Sequence, residues 1–142
     1  MSDVPEKHQG LPRWSFGDSP RLADELLHLV LAGKKTATCG ALWQYERDGV
    51  AIPATGERSI VLDGANRPRC VIETVEIETK PFDKVDAQFA HDEGEGDQSY
   101  AYWRDAHERY LRRQGPFSPD MLVVCERFRL IEVLMPAQEA AQ

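Results

Sequence analysis

A run rich in β-branched residues, 69–79, constrains the fold more than any other part of the sequence. Valine, isoleucine and threonine favour the extended, pleated backbone of a strand. Residues 64–68 before it begin with Gly64 and end with Pro68, which is typical of a turn, and residues 59–63 have the character of a short strand. The pattern therefore predicts a β-hairpin made of one short and one long strand.

Helical spacing precedes this hairpin. Asp18 or Ser19 can cap a helix whose first turn contains Pro20, and leucines then recur every three or four residues until Gly33, which is a natural stop. Residues 34–58 show no regular period, and we expect an irregular segment there.

A second helical region follows the hairpin. The sequence predicts a short helix over residues 85–90 and a longer helix that Asp97 caps and that Gly115-Pro116 ends. Alternating apolar residues over 121–133 then predict a final strand. Strands separated from helices in this way favour an α+β fold with a mainly antiparallel sheet, which can curl into a small barrel.

The length of 142 residues suits one domain. We assign residues 14–134 to this domain. The polar, proline-containing residues 1–13 are expected to form a flexible arm, and residues 135–142 a flexible tail.

Cysteine usage and the apolar runs indicate the compartment. Cys39, Cys70 and Cys125 form no CxxC pair and lack the spacing of a disulfide framework. Residues 1–10 contain no apolar signal core, and the longest apolar stretch is too short to span a bilayer. We expect a cytoplasmic protein with reduced thiols and no membrane partner.

Charge is concentrated in one segment. The net charge is −7, and residues 73–97 carry nine carboxylates against two lysines, which accounts for all of it. A general binder of polyanions is usually basic, so a DNA duplex is not expected as a partner. Because the rest of the chain is neutral overall, a local basic face can still form. The balance favours a small nucleoside or a short single strand.

The first candidate for chemistry is the segment that follows Gly33. Lys34, Lys35, Thr36 and Thr38 place two cations and two hydroxyls within five residues. In an extended backbone Thr36 and Thr38 share one face and Lys35 lies on the other. The plainer interpretation is a solvated basic pair at the negative end of a helix.

The second candidate is the acidic loop 93–97. Glu93 and Glu95 alternate with Gly94 and Gly96, and glycine lets a backbone approach a ligand closely. A carboxylate here can serve as a general base or bind a divalent cation. A solvated loop is the alternative, and the residues alone leave both open.

Aromatic residues offer a third set. Trp43 and Tyr45 lie in the irregular segment and are candidates for stacking on a base, although such residues more often pack in a core. Trp103 and His107, with Arg104 beside them, have the spacing of a core-facing helical stripe. No HExxH pattern occurs, so we expect no histidine-based zinc site.

Several of these segments together resemble the ASCH-domain family, in its bacterial single-domain branch with an EGEGD loop. The resemblance covers roughly residues 14–134. The segments that carry it are Trp14-Ser15-Phe16-Gly17-Asp18, Leu31-Ala32-Gly33-Lys34-Lys35-Thr36-Ala37-Thr38, Glu93-Gly94-Glu95-Gly96-Asp97, Tyr102-Trp103-Arg104 with His107, and Val124-Cys125-Glu126-Arg127-Phe128.

The resemblance implies a PUA-like fold, a small mixed and mainly antiparallel β-barrel with peripheral helices. It also implies binding of single-stranded RNA or a modified nucleoside. Similar family members include an amidohydrolase that removes the acetyl group from N4-acetylcytidine, and others described as ribonucleases. The amidohydrolase pattern falls on Lys35, Thr38 and Glu95. Further contacts to the nucleoside or RNA would come from Lys34, Thr36, Trp43, Tyr45, Glu93 and Arg104.

The amidohydrolase hypothesis requires no metal or other cofactor. Lys35, if desolvated, would lose its proton near neutral pH and deprotonate Thr38, while Glu95 would activate water. A second hypothesis is a single-stranded-RNA ribonuclease, for which Mn²⁺ or Mg²⁺ would be the metal. A third is a non-catalytic RNA-binding module, in which Lys35 only contacts phosphate.

Overall fold

Five strands form one sheet in the order β1-β3-β4-β5-β2. In this computed structural model, which describes residues 4–134, four α-helices pack around the sheet, and the predicted tail lies outside the described residues. The strands are β1 (Arg13–Trp14), β2 (Ala37–Ala41), β3 (Arg58–Leu62), β4 (Pro68–Pro81) and β5 (Leu122–Val133). The helices are α1 (Pro20–Leu31), α2 (Leu42–Asp48), α3 (Ala87–Asp92) and α4 (Tyr100–Gln114), with 3-10 turns at Glu6–His8 and Phe82–Lys84.

The sheet confirms the α+β class and the mainly antiparallel pairing. The β3–β4 hairpin forms as predicted, and β4 continues along β5 as far as the Pro81–Leu122 pair. Only the β1–β3 contact is parallel within the described part of the chain. Strands β1 and β2 are the two ends of an open sheet, so closure into a barrel is not confirmed.

The helix caps explain where α1 and α4 begin. Ser19 accepts a hydrogen bond from the Leu22 amide, as its position before Pro20 predicts. The prediction that Asp97 caps α4 is wrong. Ser99 caps this helix by accepting from the Tyr102 amide, while Asp97 accepts from the Ser99 amide and orders the turn before it.

The segment 34–58 is more regular than expected, because it contains both β2 and α2. Strand β2 pairs with β5 over its whole length. Helix α2 begins after Ala41, whose amide donates to the Gln44 side chain over 2.9 Å. Seven residues give too few turns for a helical period to stand out in the sequence.

Two of the groups of buried side chains that cover the sheet join it to the helices. One joins α1 to the central strands and contains Leu27, Val30, Val61, Cys70, Ile72 and Phe128. The other joins α3 and α4 to β2 and β5, and its buried members include Ala37, Phe89, Trp103, Leu111 and Cys125.

Residues 4–13, expected to be a flexible arm, pack on the sheet instead. Val4 is buried with Ile60, Val71 and Leu134, and His8 contacts Glu132 over 3.1 Å. These contacts explain why this segment packs on the sheet, because they bury apolar surface that a free arm would expose. As for membrane association, no helix among residues 4–134 is long and apolar enough to cross a bilayer.

The acidic loop is fastened to the segment after α1 by a close backbone approach. Gly94 has φ +74°, and a Cβ atom placed there would contact the Lys34 carbonyl and lie 2.9 Å from the Lys35 nitrogen. Only glycine combines this backbone conformation with this contact. Gly33 has a similar φ of +80° but faces open space.

These two glycines give a matched test. We expect Gly33→Ala to lower the free energy of unfolding by about 1–2 kcal/mol, the cost of a left-handed residue with a Cβ. Gly94→Ala should cost about 1–3 kcal/mol more, because the backbone must also shift. Urea denaturation of both variants measures the difference, and equal losses would show that the loop does not depend on this contact.

Candidate active site

Lys35 is fully buried although it carries a charge. The backbone after α1 turns so that the amides of Lys34 and Lys35 both donate to the Leu29 carbonyl, and the chain then enters β2. The Lys35 side chain is 1% exposed, and its Nζ donates to Glu93 Oε1 over 2.8 Å and to Glu95 Oε2 over 3.1 Å. Two of the three carboxylates of the acidic loop therefore bind one ammonium group.

Glu93 is buried to the same degree and has partners on both oxygens. Its side chain is 1% exposed. Oε2 accepts the indole N–H of Trp103 over 2.8 Å and lies 3.3 Å from Nε2 of His107. Trp103 and His107 are one turn apart on α4, so one face of this helix completes the environment of the carboxylate. Nδ1 of His107 lies 2.9 Å from the Trp103 carbonyl.

The charges of this cluster support one another. Burial alone lowers the pKa of Lys35, but Glu93 and Glu95 outweigh it and leave that pKa raised. Burial raises the pKa of Glu93, yet Lys35 and His107 leave it lowered. Burial lowers the pKa of His107, and Glu93 reverses this, so the pKa is raised. The expectation that Lys35 loses its proton near neutral pH is therefore wrong, because the two carboxylates hold it charged.

A cavity of about 250 Å³ opens above this cluster. Lys35, Thr38 and Glu95 all line it, with Glu93 and His107 also in its wall. The structure thus brings the three residues predicted to be catalytic to one place. Glu95 is the more accessible carboxylate, since its side chain is 18% exposed.

A second cavity of about 490 Å³ adjoins the first. Both are lined by Phe16, Gly17, Thr38, Cys39 and Tyr110. Tyr45, predicted to contact a base, lines the second cavity. Thr38 therefore lies at the junction of a charged cavity and a larger one.

The remaining predicted contacts lie outside both cavities. Lys34 and Thr36 are exposed, and the Thr36 hydroxyl donates to the Asp92 carbonyl over 3.4 Å. The Arg104 guanidinium lies 5.2 Å from the centre of the Phe82 ring.

Trp43 is likewise directed into the protein. Its ring packs against the core beside α4 and fills the space over Gly115, where a Cβ atom would lie 2.6 Å from it. The Arg47 guanidinium is 5.3 Å from the ring centre. In this position Trp43 acts as a core residue.

Three residues of the site were not predicted as such: Trp103, His107 and Cys39. The sequence contains a signal that could have indicated Trp103. A buried indole N–H needs a hydrogen-bond acceptor, and the acidic loop lies just before α4. The Cys39 thiol lies within 4.8 Å of the Glu93 carboxylate, and burial together with that carboxylate raises the pKa of Cys39 well above its usual value. It is therefore held as a thiol and is a poor nucleophile.

Cys39, Glu93 and His107 are the group of potential metal ligands within residues 4–134, with donor atoms within 4.8 Å of one another. Mn²⁺ or Mg²⁺ in the ribonuclease hypothesis would prefer oxygen ligands, and a thiol and an imidazole do not supply them. The carboxylates of Glu93 and Glu95 are already bound by the Lys35 ammonium group. The donor set does not fit these hard cations.

Comparison with known proteins agrees with the segments that carry the resemblance. The model of the ASCH domain matches residues 12–132. The chain belongs to the ASCH domain family. ASCH domains are associated with RNA and share a PUA-like fold.

Two solved structures resemble this ASCH domain over most of its length. Protein EF3133 from Enterococcus faecalis V583 is 33% identical, with 96% of this chain and 87% of that chain covered and a TM-score of 0.81. An ASCH domain from Lactobacillus crispatus JV V101 is 28% identical, with coverage of 91% and 87% and a TM-score of 0.78. No curated protein matches the chain.

A more distant structure shares the fold alone. The ASCH protein from Zymomonas mobilis is 13% identical, with 81% of this chain and 69% of that chain covered and a TM-score of 0.51. The family and its architecture are therefore shown.

Removing the buried carboxylate should destabilise the domain strongly. Glu93→Gln leaves the Lys35 ammonium group with one carboxylate, so we expect a loss of about 3 kcal/mol or more in the free energy of unfolding. Glu76→Gln is the control, since Glu76 is 63% exposed and 3.6 Å from Arg127, and should cost under about 1 kcal/mol.

The same pair of proteins should show a pH dependence, because the pKa of Glu93 is lowered in the folded state. The gap in the free energy of unfolding between wild type and Glu93→Gln should narrow as the pH falls below about 4.5, the pKa of this carboxyl in the unfolded chain. A gap that is small, or constant with pH, would contradict this.

His107 should give the opposite pH dependence. Its pKa is raised above 6.5, so the stabilisation by its charged form is complete below that pH and is lost as the pH rises through the folded-state pKa. We expect wild-type stability to fall over this range and His107→Gln to lack that part of the slope. Denaturation at several pH values, with an NMR titration of the His107 ring, measures both. A ring that titrates below its usual pKa would refute the expectation.

Proposed function

We propose that this ASCH domain hydrolyses the amide bond of an acylated nucleobase, most concretely N4-acetylcytidine. The observation that carries the proposal is that Lys35, Thr38 and Glu95, the positions that match the family's amidohydrolase, line one cavity. The first cavity has room for an acyl group, and the larger cavity that adjoins it has room for a base.

The state of Lys35 decides which residue acts as the base. Because Lys35 is held charged by two carboxylates, it cannot accept the proton of Thr38. Its ammonium group is suited to stabilise the negative charge that develops on a carbonyl oxygen. Glu95 is the accessible carboxylate of the cluster, and we assign the role of general base to it.

The reaction then proceeds in two stages. Glu95 accepts the proton of the Thr38 hydroxyl, Oγ1 forms a bond to the acetyl carbon, and the oxyanion forms beside Lys35. The bond from the acetyl carbon to N4 breaks, N4 takes the proton from Glu95, and cytidine leaves. Water, deprotonated by Glu95, attacks the acetyl-threonine ester, and acetate is released as Thr38 recovers its proton.

The burial of Lys35 argues against a role as a simple phosphate contact. A side chain that is 1% exposed and already paired with two carboxylates offers little charge to RNA. The ribonuclease and the binding module therefore remain predictions without a supporting contact. The cytoplasmic location also stays a prediction.

Acetate release from N4-acetylcytidine tests the proposal. We expect turnover by wild type and a fall of at least about 100-fold in kcat/KM for Lys35→Ala, Thr38→Val and Glu95→Gln, since each removes a charge or proton-transfer group from the transition state. Lys84→Ala is the control, because Lys84 is exposed and lies outside both cavities.

Absence of acetate release by wild type, or an unchanged rate for Lys35→Ala, would refute the amidohydrolase. Single-stranded RNA incubated with and without EDTA provides a parallel assay. Cleavage of RNA with no release of acetate would instead favour the ribonuclease.

A further inference from the structure

The second cavity contains a buried carboxyl group that the proposed reaction does not use. Glu126, on β5, is 4% exposed and lines this cavity. The Thr74 hydroxyl donates to Oε2 of Glu126 over 2.7 Å. Within residues 4–134 this is the only hydrogen bond that the carboxyl group of Glu126 makes. A carboxyl group has about four acceptor positions, so most of its hydrogen-bonding capacity is unused.

The strand register puts Glu126 next to the proposed nucleophile. Thr38 of β2 and Glu126 of β5 are directly opposite in an antiparallel pair. Side chains in such a pair lie on the same face, with Cβ atoms roughly 4.5–5.5 Å apart. Thr38 lines both cavities, whereas Lys35 lines only the first and Glu126 only the second of the two.

The rest of the second cavity suits a flat ring. Trp14, Phe16, Tyr45 and Pro53 line it, and aromatic and proline surfaces pack well on a planar base. Thr74 satisfies only one oxygen of the Glu126 carboxyl group, and the other position is available to a ligand. A base with a hydrogen-bonding edge would occupy that position.

The environment of Glu126 also favours its neutral form. Burial raises the pKa of Glu126, the Thr74 hydroxyl opposes the rise, and the charge of Glu57 adds to it. Tyr45 faces it from α2 and Thr38 from β2. A neutral carboxyl presents a donor and an acceptor side by side, which matches adjacent ring and exocyclic nitrogens.

We propose that Glu126 binds the N3 and N4 edge of a cytosine ring in the second cavity. The substituent on N4 then lies at the junction of the cavities, beside Thr38. The choice of cytosine rests on the proposed function, whereas the location and the hydrogen-bonding edge rest on Glu126 itself. Glu126 is thus a substrate-binding residue that positions the amide for the reaction.

Two ligands and two variants test this assignment by calorimetric titration. Cytidine is compared with its analogue 2-pyrimidinone ribonucleoside, which lacks the 4-amino group. Wild type should bind cytidine about threefold to tenfold more tightly, the effect of one hydrogen bond. Glu126→Met keeps the size of the side chain without its hydrogen-bonding atoms, and should bind both ligands equally. Glu126→Gln keeps a donor and an acceptor, and should retain the preference.

The outcomes separate this inference from the proposed reaction. A wild type that releases no acetate but prefers cytidine through Glu126 would refute the amidohydrolase and support the binding role. Acetate release with an unchanged KM in Glu126→Met would overturn the binding role alone. If Glu126→Met does not fold, loss of the preference in Glu126→Gln, or its absence in wild type, overturns the inference.

Discussion

The Glu93 carboxylate is the interaction on which the arrangement of the site depends. It lies at the end of α3, accepts from Trp103 of α4, contacts His107, and binds Lys35 before β2. Burying one charge of this kind is strongly unfavourable, and it is tolerated only where partners satisfy both oxygens. The relative position of α3, α4, the acidic loop and β2 is therefore fixed, because any other arrangement would leave a charge unpaired in the interior.

The fold could be predicted where a local pattern repeats and could not where it is short. The β3–β4 hairpin and α1 have enough residues for their periods to be recognised. Helix α2 has seven residues and a start at Ala41, which has no capping side chain. The choice between Asp97 and Ser99 as the cap of α4 depends on the local backbone, because both residue types cap helices equally well.

The residues of the site could be predicted, but their burial and protonation states could not. Lys35, Thr38 and Glu95 came from the family resemblance, and they line one cavity. The sequence could not distinguish Glu93 from Glu95, because both lie next to glycines in the same short loop, and the structure separates them by burial, with side chains 1% and 18% exposed. The charge of Lys35 depends on carboxylates 58 and 60 residues away, and no pattern in the chain expresses such a distance.

The junction at Thr38 has a consequence for how such a domain can diversify. The charged cluster lies on one side of this residue and the larger, mainly apolar cavity on the other. Substitutions at residues that line the larger cavity alone leave the contacts of Lys35 untouched, so new ligands can be accommodated there without a change in the charged cluster. The charged cluster is the constant part of this arrangement and the larger cavity is the variable part. We expect relatives that keep the Lys35 ion pairs to differ first in the residues around the larger cavity.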